Sequence, residues 1–581
     1  MRNHGEPTTM HYSGQCTDRA AEPDVVEVVL PTGTRIPTGG WLVAQLVRLT
    51  VLIGLALLLL AGADVRATDD GHPVRRRRII LNDDGEVGVG PRTLPGDYHK
   101  SVATADEVPN VRFRSAVGTQ VDSYFINVGA TDRAAVSDGK PITNIQSSMA
   151  QFHYWGEKGQ IHPDTDQATR CLIADAHEAG MEIFASIRMN DTHDSGGNVN
   201  YPLKLQRPDL LLGAEHIGTR YSHLFDGERP RGASGFPSAS IMAWYWCGLD
   251  YGHAEVRQHF LDFILAYCPR YDFDGLELDY FRFARYFKLG ADADHLDTMT
   301  DFVRQVRDGL NEIGRARGRS YLLAVRMPDT PSMARRIGLD IESWLAAGLV
   351  DLLNVGGGYM PWGARLKEFV DLAHRHDIPC YLCMNRVGKP VQGRSLASNF
   401  WALGSDGIYV FNFAGLAQGS EEQACLRQMG APNTLVGLDK QYSAEDGDGN
   451  PDKGWRGMVS RPRRFPLRLI DAEPIELIVG DDVQHASRQD LIHSIVMHVG
   501  VGRVDEAEQI TIEVNGKPLP DAAIKRIADN RFDAAISAPL LRRGINRVVV
   551  LPGRGSVGRT RSTVTSLTLS VRYRNASTAG R

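Results

Sequence analysis

Glu277 and Asp279 stand two residues apart in Tyr271-Asp-Phe-Asp-Gly-Leu-Glu-Leu-Asp-Tyr-Phe-Arg282, a stretch that starts as a buried strand and ends in acids. Strand alternation sends Leu276, Leu278 and Tyr280 to one face and Glu277, Asp279 and Phe281 to the other. Burying an unpaired carboxylate is expensive, so both acids must be paired, solvated or at work. Two carboxyls on one face can divide the tasks of proton donor and of base or nucleophile. Asp279, nearer the strand end, is the first candidate for nucleophile or charge stabiliser. Asp329, Glu277 and Asp191 are the candidates for its partner. Asp279 and Asp329 on adjacent strand ends could lie at the ~5 Å of a retaining pair or at the wider inverting separation. The bland alternative is an ion network in which Asp279 pairs with Arg282, Arg188 or Arg326.

An acid at a strand end is useful only if other strands surround it. From residue 78 to 413 short apolar segments alternate with helical ones. The strands are Arg78–Gly85, Val121–Val128, Met181–Asn190, Asp272–Arg282, Tyr321–Met327, Val350–Val355, Ile378–Asn385 and Asp406–Phe413. Most are separated by amphipathic stretches such as Ala254–Tyr267 and Thr300–Gly314. Eight such units predict an α/β fold, a closed (β/α)8 barrel, whose active sites lie at the C-terminal ends of the strands. A doubly wound open sheet is the competing fold, but no Gly-rich fingerprint follows the first strand.

Polar residues gather at that end: Asp83, Asn127, Arg188, Asn190, Asp191, Arg326, Asn354, Asn385 and Asn412 are candidate substrate-binding groups. The opposite strand ends show no such enrichment. Aromatic residues cluster in the intervening loops, among them Trp155, Trp246 and Tyr359, and flat aromatic faces suit sugar rings as well as they suit packing.

With these residues in hand, the chain resembles the glycoside-hydrolase-like TIM barrels over roughly residues 78–440. The matching pieces are Asn82-Asp-Asp-Gly85, Arg207-Pro-Asp-Leu-Leu-Leu212, the helix carrying Val256-Arg257, and Phe273-Asp-Gly-Leu-Glu-Leu-Asp-Tyr-Phe-Arg282. The resemblance implies a sugar-active barrel and carries over no catalytic residue beyond the acidic strand end. The expected activity is hydrolysis of an oligo- or polysaccharide, with a non-catalytic carbohydrate-binding barrel as the alternative. The sixth and seventh strands end in Asn354 and in Asn385-Arg386, so no second acid is offered there. A metal-dependent hydrolase would want histidines clustered at strand ends; His193 and Asp191 alone stand for that. No metal and no cofactor are expected.

The chain has 581 residues, too many for one core. A net charge of −5 and scattered basic residues argue against a nucleic-acid partner. Of seven cysteines, Cys380 and Cys383 form a Cys-x-x-Cys within a strand, where an offset of three places them on opposite faces as core residues. Residues 1–40 read as a disordered leader and residues 41–67 as a signal peptide or signal anchor, with a core of about fourteen apolar residues, short of the ~20 of a full span. Export is expected, with membrane anchoring through residues 41–62 as the alternative. Beyond the barrel, residues 441–458 read as a linker whose Asp446, Asp448, Asn450 and Asp452 imitate a calcium loop but lack the closing Glu. Short alternating strands over residues 459–575, with a hairpin signal at Val514-Asn-Gly-Lys517, predict an antiparallel jelly-roll-like sandwich.

Overall fold

The computed structural model describes residues 27–29, 35–37, 77–83, 87–89, 100–102, 104–129, 136–137, 140–141, 160–161, 163–196, 199, 201–216, 245–328, 330–356, 364–385, 387–413, 419–444, 465–502, 509–553 and 561–574. The chain divides into two compact units, Met1–Arg76 and Arg77–Arg581. In the first, the described residues pair as two short antiparallel strands, Glu27–Val29 with Arg35–Pro37, where the composition reads as disorder. The apolar segment at 41–67 lies outside the described residues. Among those described, no helix is long and apolar enough to cross a membrane.

The second unit opens with the expected barrel. Its strands are β1 (Ile79–Asp83), β2 (Val121–Gly129), β3 (Glu182–Arg188), β4 (Gly275–Asp279), β5 (Leu322–Met327), β6 (Leu352–Val355), β7 (Cys380–Asn385) and β8 (Gly407–Phe413). All pair in parallel in chain order, and β8 closes onto β1. The strands are joined in turn through α1 (Val108–Arg112), α2 (Pro163–Glu178), α3 (Ala254–Tyr267), α4 (Leu296–Arg317), α5 (Ile341–Ala346), α6 (Lys367–His374) and α7 (Pro390–Ala402). The helix α8 (Glu421–Leu426) follows β8.

Strand parity splits the apolar residues into two cores. Leu276 and Leu278 of β4, and Tyr280 just beyond it, pack outward with Val256, Phe260 and Ile264 of α3 and with Phe302, Val303 and Val306 of α4. Inward, Ile80, Phe125, Phe184, Ala324, Leu352, Tyr381, Cys383, Tyr409 and Phe411 fill the lumen. Each fully buried large side chain contributes roughly 1.5–3 kcal/mol, so the lumen is a packed plug on which the mouth residues rest. Cys380 belongs to the outer core and Cys383 to the lumen, as an offset of three requires.

The Asp-Gly of the acidic stretch is an assembly device. Asp274, one residue before β4, accepts the Ile183 N–H of β3 at 2.9 Å. Asp122, Asp351 and Asp406 make the same bond one strand along, to the N–H groups of Arg78, Leu323 and Cys380. Each satisfies a strand-start donor that would otherwise be unpaired. A Cβ on Gly275 would stand 2.6 Å from the Leu322 carbonyl and collide with the Phe184 ring. Gly275→Ala is therefore expected to lower stability by about 1–3 kcal/mol, read as a drop in the urea midpoint at unchanged slope.

The lower end of the barrel is polar too, which sequence reading missed. Arg77 donates to both oxygens of Glu182 at 2.7 and 2.8 Å, and Ser123 Oγ donates to the same carboxylate at 2.6 Å. All three residues are buried, so the N-terminal end of the strands carries a closed polar knot.

The tail is the expected antiparallel sandwich. One sheet holds β9 (Lys440–Ser443), β10 (Leu467–Arg468), β12 (Ile492–Gly502), β15 (Ile524–Ala528), β16 (Arg531–Ala535) and β18 (Thr563–Tyr573). The other holds β11 (Ile475–Val479), β13 (Ile510–Val514), β14 (Lys517–Pro518) and β17 (Gly544–Pro552). Alternate residues of both form one core. Asn515 and Gly516 take positive φ in the β13–β14 hairpin, as the Asn-Gly signal predicts.

The edge strand β9 starts upstream of the change in sequence texture and lies against α7. Ser395 Oγ donates to the Gln441 carbonyl at 2.7 Å. Asp481 gathers Ser398 Oγ at 2.9 Å, buried Lys440 Nζ at 3.0 Å and Tyr573 Oη at 2.6 Å. These bonds brace the sandwich against the barrel. The calcium-like loop lies outside the described residues.

Candidate active site at the barrel mouth

The β4 register puts Glu277 level with Ser186 of β3 and Ala324 of β5, and Asp279 level with Arg188 and Arg326. Ala324 is small, which leaves room beside the Glu277 carboxyl. Glu277 Oε1 accepts Asn354 Nδ2 at 2.8 Å and Tyr409 Oη at 2.9 Å. Its Oε2 accepts Ser186 Oγ at 2.6 Å and Asn82 Nδ2 at 3.3 Å. Strands β1, β3, β6 and β8 thus converge on one carboxyl in the lumen. Burial, then the nearby charge of Asp279, push its pKa from 4.5 to about 7 against the opposing pull of Ser186, Arg326 and Asn354. Glu277 can therefore hold and release a proton near neutrality.

Asp279 is held differently. Its Oδ1 accepts the backbone N–H groups of Phe281 and Arg282 at 2.9 and 3.1 Å, and its Oδ2 pairs with Arg326 Nη1 at 2.9 Å. Of the three arginines named as ion-pair candidates, Arg326 is the one that takes its carboxylate. The Arg326 guanidinium carbon lies 3.7 Å from the centroid of the Phe411 ring and 5.0 Å from that of Phe281. Burial works against its charge, but Asp279 together with Cys383, Tyr409 and Glu277 outweighs it, so its pKa is raised. Glu277, Asp279 and Arg326 are at most 1% exposed.

Several expected binding residues are placed elsewhere. Asp83 turns outward from the barrel, where it meets Tyr124 Oη and, at 3.3 Å, Arg112 of α1. Its neighbour Asn82 is the residue that faces in. Asn190 ties down the insertion after β3: its amide bonds the Leu249 N–H and the Leu249 and Arg285 carbonyls at 2.9, 3.0 and 2.6 Å. Asp191 pairs with Arg188 at 2.9 Å, both buried. Trp246 is buried and donates its indole N–H to the Ser195 carbonyl at 2.9 Å, so it packs the insertion and offers no face to a ring.

Asn127 and Asn354 do lie on the inner wall. Asn385 shares that face, level with Phe411, and is partly exposed. Asp329, Trp155 and Tyr359 lie outside the described residues. Asn412 is described only as part of the β8 backbone. The residues missed at the sequence level, Ser186 and Tyr409, are neutral hydrogen-bond donors. Only their parity, inward on β3 and β8, marks them. Among the described residues, no group of His, Cys, Asp and Glu is arranged to hold a metal ion.

No family model matches the chain and no curated protein matches it in sequence. Solved structures with a similar backbone include a Paenibacillus cycloisomaltooligosaccharide glucanotransferase, at 9% identity and TM-score 0.29, covering 86% of this chain and 58% of that one. The Streptomyces plicatus N-acetyl-β-hexosaminidase matches at 12% identity and TM-score 0.32, covering 65% and 63%. An old yellow enzyme homologue from Zymomonas mobilis, with 12% identity and TM-score 0.32, covers 57% and 84%. The chain thus spans less than two thirds of the length of the first two. A glucanotransferase, a hexosaminidase and an old yellow enzyme homologue stand side by side in that group, and at these TM-scores the likenesses carry no argument about chemistry.

Proposed function

We propose that the chain is a glycoside hydrolase acting on an oligo- or polysaccharide, with Glu277 as proton donor and Asp279 as nucleophile or charge stabiliser. The observation that carries this reading is the contrast between two carboxyls on one inner face of β4. Burial and its neighbour's charge raise Glu277 to about 7, a value suited to a general acid at neutral pH. Asp279 accepts three hydrogen bonds, one from a guanidinium, and donates none. A carboxyl kept protonated beside one that only accepts hydrogen bonds can serve as the acid of such a pair. The resemblance of residues 78–440 to glycoside-hydrolase-like barrels supplies the substrate class, and the apolar stretch near residue 50 supports export to where such polymers lie.

One observation favours a second reading, a carbohydrate-binding barrel without catalysis: Asp279 is committed to Arg326 and both acids are buried. Release of reducing sugar from a panel of polysaccharides, with Asp279→Asn as control, separates the two. The hydrolase reading expects release by the wild type and background for the variant. Binding of a glycan by both proteins with no release from any polymer would establish the binding barrel instead.

A further inference from the structure

Among the described residues, the polar atoms of Arg326, Asn354 and Asn127 left without a partner on the inner wall are mostly donors. Arg326 is fully buried and uses Nη1 for Asp279, while its Nε and Nη2 have no partner among the described residues. Asn354, its register neighbour on β6, gives Nδ2 to Glu277 and leaves Oδ1 without one. Asn127 accepts the Gly129 N–H on Oδ1 and leaves Nδ2 without a partner. That makes three donors and one acceptor, and a buried donor on a charged group left unpaired costs more than a neutral one. An arrangement so short of acceptors is completed by a ligand rich in them.

The geometry of Arg326 narrows that ligand. The Nε and Nη2 hydrogens point in parallel from one edge of a planar fork, the edge that takes both oxygens of a carboxylate at once. Phe411 covers a guanidinium face and Asp279 holds the Nη1 corner, so the free edge is fixed in direction. A sugar hydroxyl would fill one of the two positions and bring a donor of its own. Charge points the same way. Among the described residues Asp279 is the carboxylate paired with Arg326, and near pH 7 Glu277 beside it carries only part of a negative charge.

We infer that the Nε–Nη2 edge of Arg326 seats a sugar carboxylate, with a ring hydroxyl donating to Asn354 Oδ1, so that the glycan taken at this mouth is a uronate. For what is then done to the glycan, this rests on the hydrolase reading; for its recognition, it does not.

The test is calorimetric titration of the full chain, at fixed ionic strength, with galacturonate and glucuronate, with galactose and glucose, and with galactose 6-sulfate. Uronates are expected to bind more than about tenfold tighter than the neutral sugars and than the non-planar sulfate ester. Arg326→Lys keeps the charge and loses the two-donor edge, and is expected to weaken uronate binding by at least about tenfold. Asn127→Asp keeps the acceptor for Gly129, replaces the free donor with a charge, and should weaken it likewise. If Arg326→Lys does not fold, Asn127→Asp decides.

Neutral sugars binding as tightly as uronates, preference for the sulfate, or undiminished uronate affinity in the folded variants would overturn the inference. Hydrolysis of neutral polymers with no uronate affinity would remove this inference and leave the hydrolase. Uronate binding without cleavage of any polyuronate would remove the hydrolase and leave this inference.

Discussion

Glu277→Gln is expected to make the protein more stable above pH ~8, by about 3 kcal/mol, while cutting kcat/KM by roughly 10²–10⁴. The stability gain follows from the raised pKa. The folded chain keeps the Glu277 proton up to about 7, whereas an unfolded carboxyl loses it near 4.5. Between those values the folded state binds more protons than the unfolded one, so its stability falls as pH rises. One pKa unit is 1.36 kcal/mol, and this site is fully buried, so the whole interval counts. A glutamine cannot ionise and escapes that loss. It can still accept from Asn354 and Tyr409 through its amide oxygen and donate to Ser186. Urea titrations of both proteins across the pH range should show the difference growing from about nothing below pH ~4.5 to its full size above pH ~8. A variant less stable than wild type at high pH would show that Glu277 is not held against its own charge. On the hydrolase reading the loss of rate is that expected for a missing proton donor, and its partner in the measurement is Asp279→Asn.

Arg326→Met carries the other large effect. It leaves the Asp279 carboxylate buried with two backbone N–H groups and no countercharge. Removing one member of a buried ion pair typically costs about 3–5 kcal/mol. Asp279→Asn in the same chain keeps the acceptor for Phe281 and Arg282 and removes the charge, so the double variant should recover most of the loss. A double-mutant cycle on the urea midpoints measures the coupling. Additive losses, with no recovery, would mean that the pair does not carry the local structure of the mouth.

Much of this architecture was legible in the sequence. Eight apolar segments at βα spacing gave the barrel, because a strand buried on both faces shows itself as a short continuous apolar run. Parity within β4 put Glu277 and Asp279 on the inner face and Leu276 and Leu278 on the outer, as found. In β1 the candidate at the strand end is Asp83, yet one residue along a strand reverses the face, and Asn82 is the one that turns in.

Asn190 and Trp246 were misread for a different reason. They belong to the insertion after β3, and sequence does not show whether a polar or aromatic loop residue ties the loop down or faces the lumen. The acidic motif itself divides in two: its Asp-Gly fastens β4 to its neighbours, and only its Glu and last Asp face the mouth. Which arginine would hold Asp279 depended on the β4–β5 register, a long-range pairing that no local pattern encodes.

The central claim is that Glu277, buried in the barrel lumen two residues from Asp279, is poised to give up a proton near neutrality. The direct measurement is a carbon-13 NMR titration of the protein labelled at glutamate side-chain carboxyls, with Glu277→Gln providing the assignment. The account predicts one resonance, absent from the variant, that titrates near 7. A Glu277 resonance that titrates with the exposed glutamates near 4.3 would contradict it.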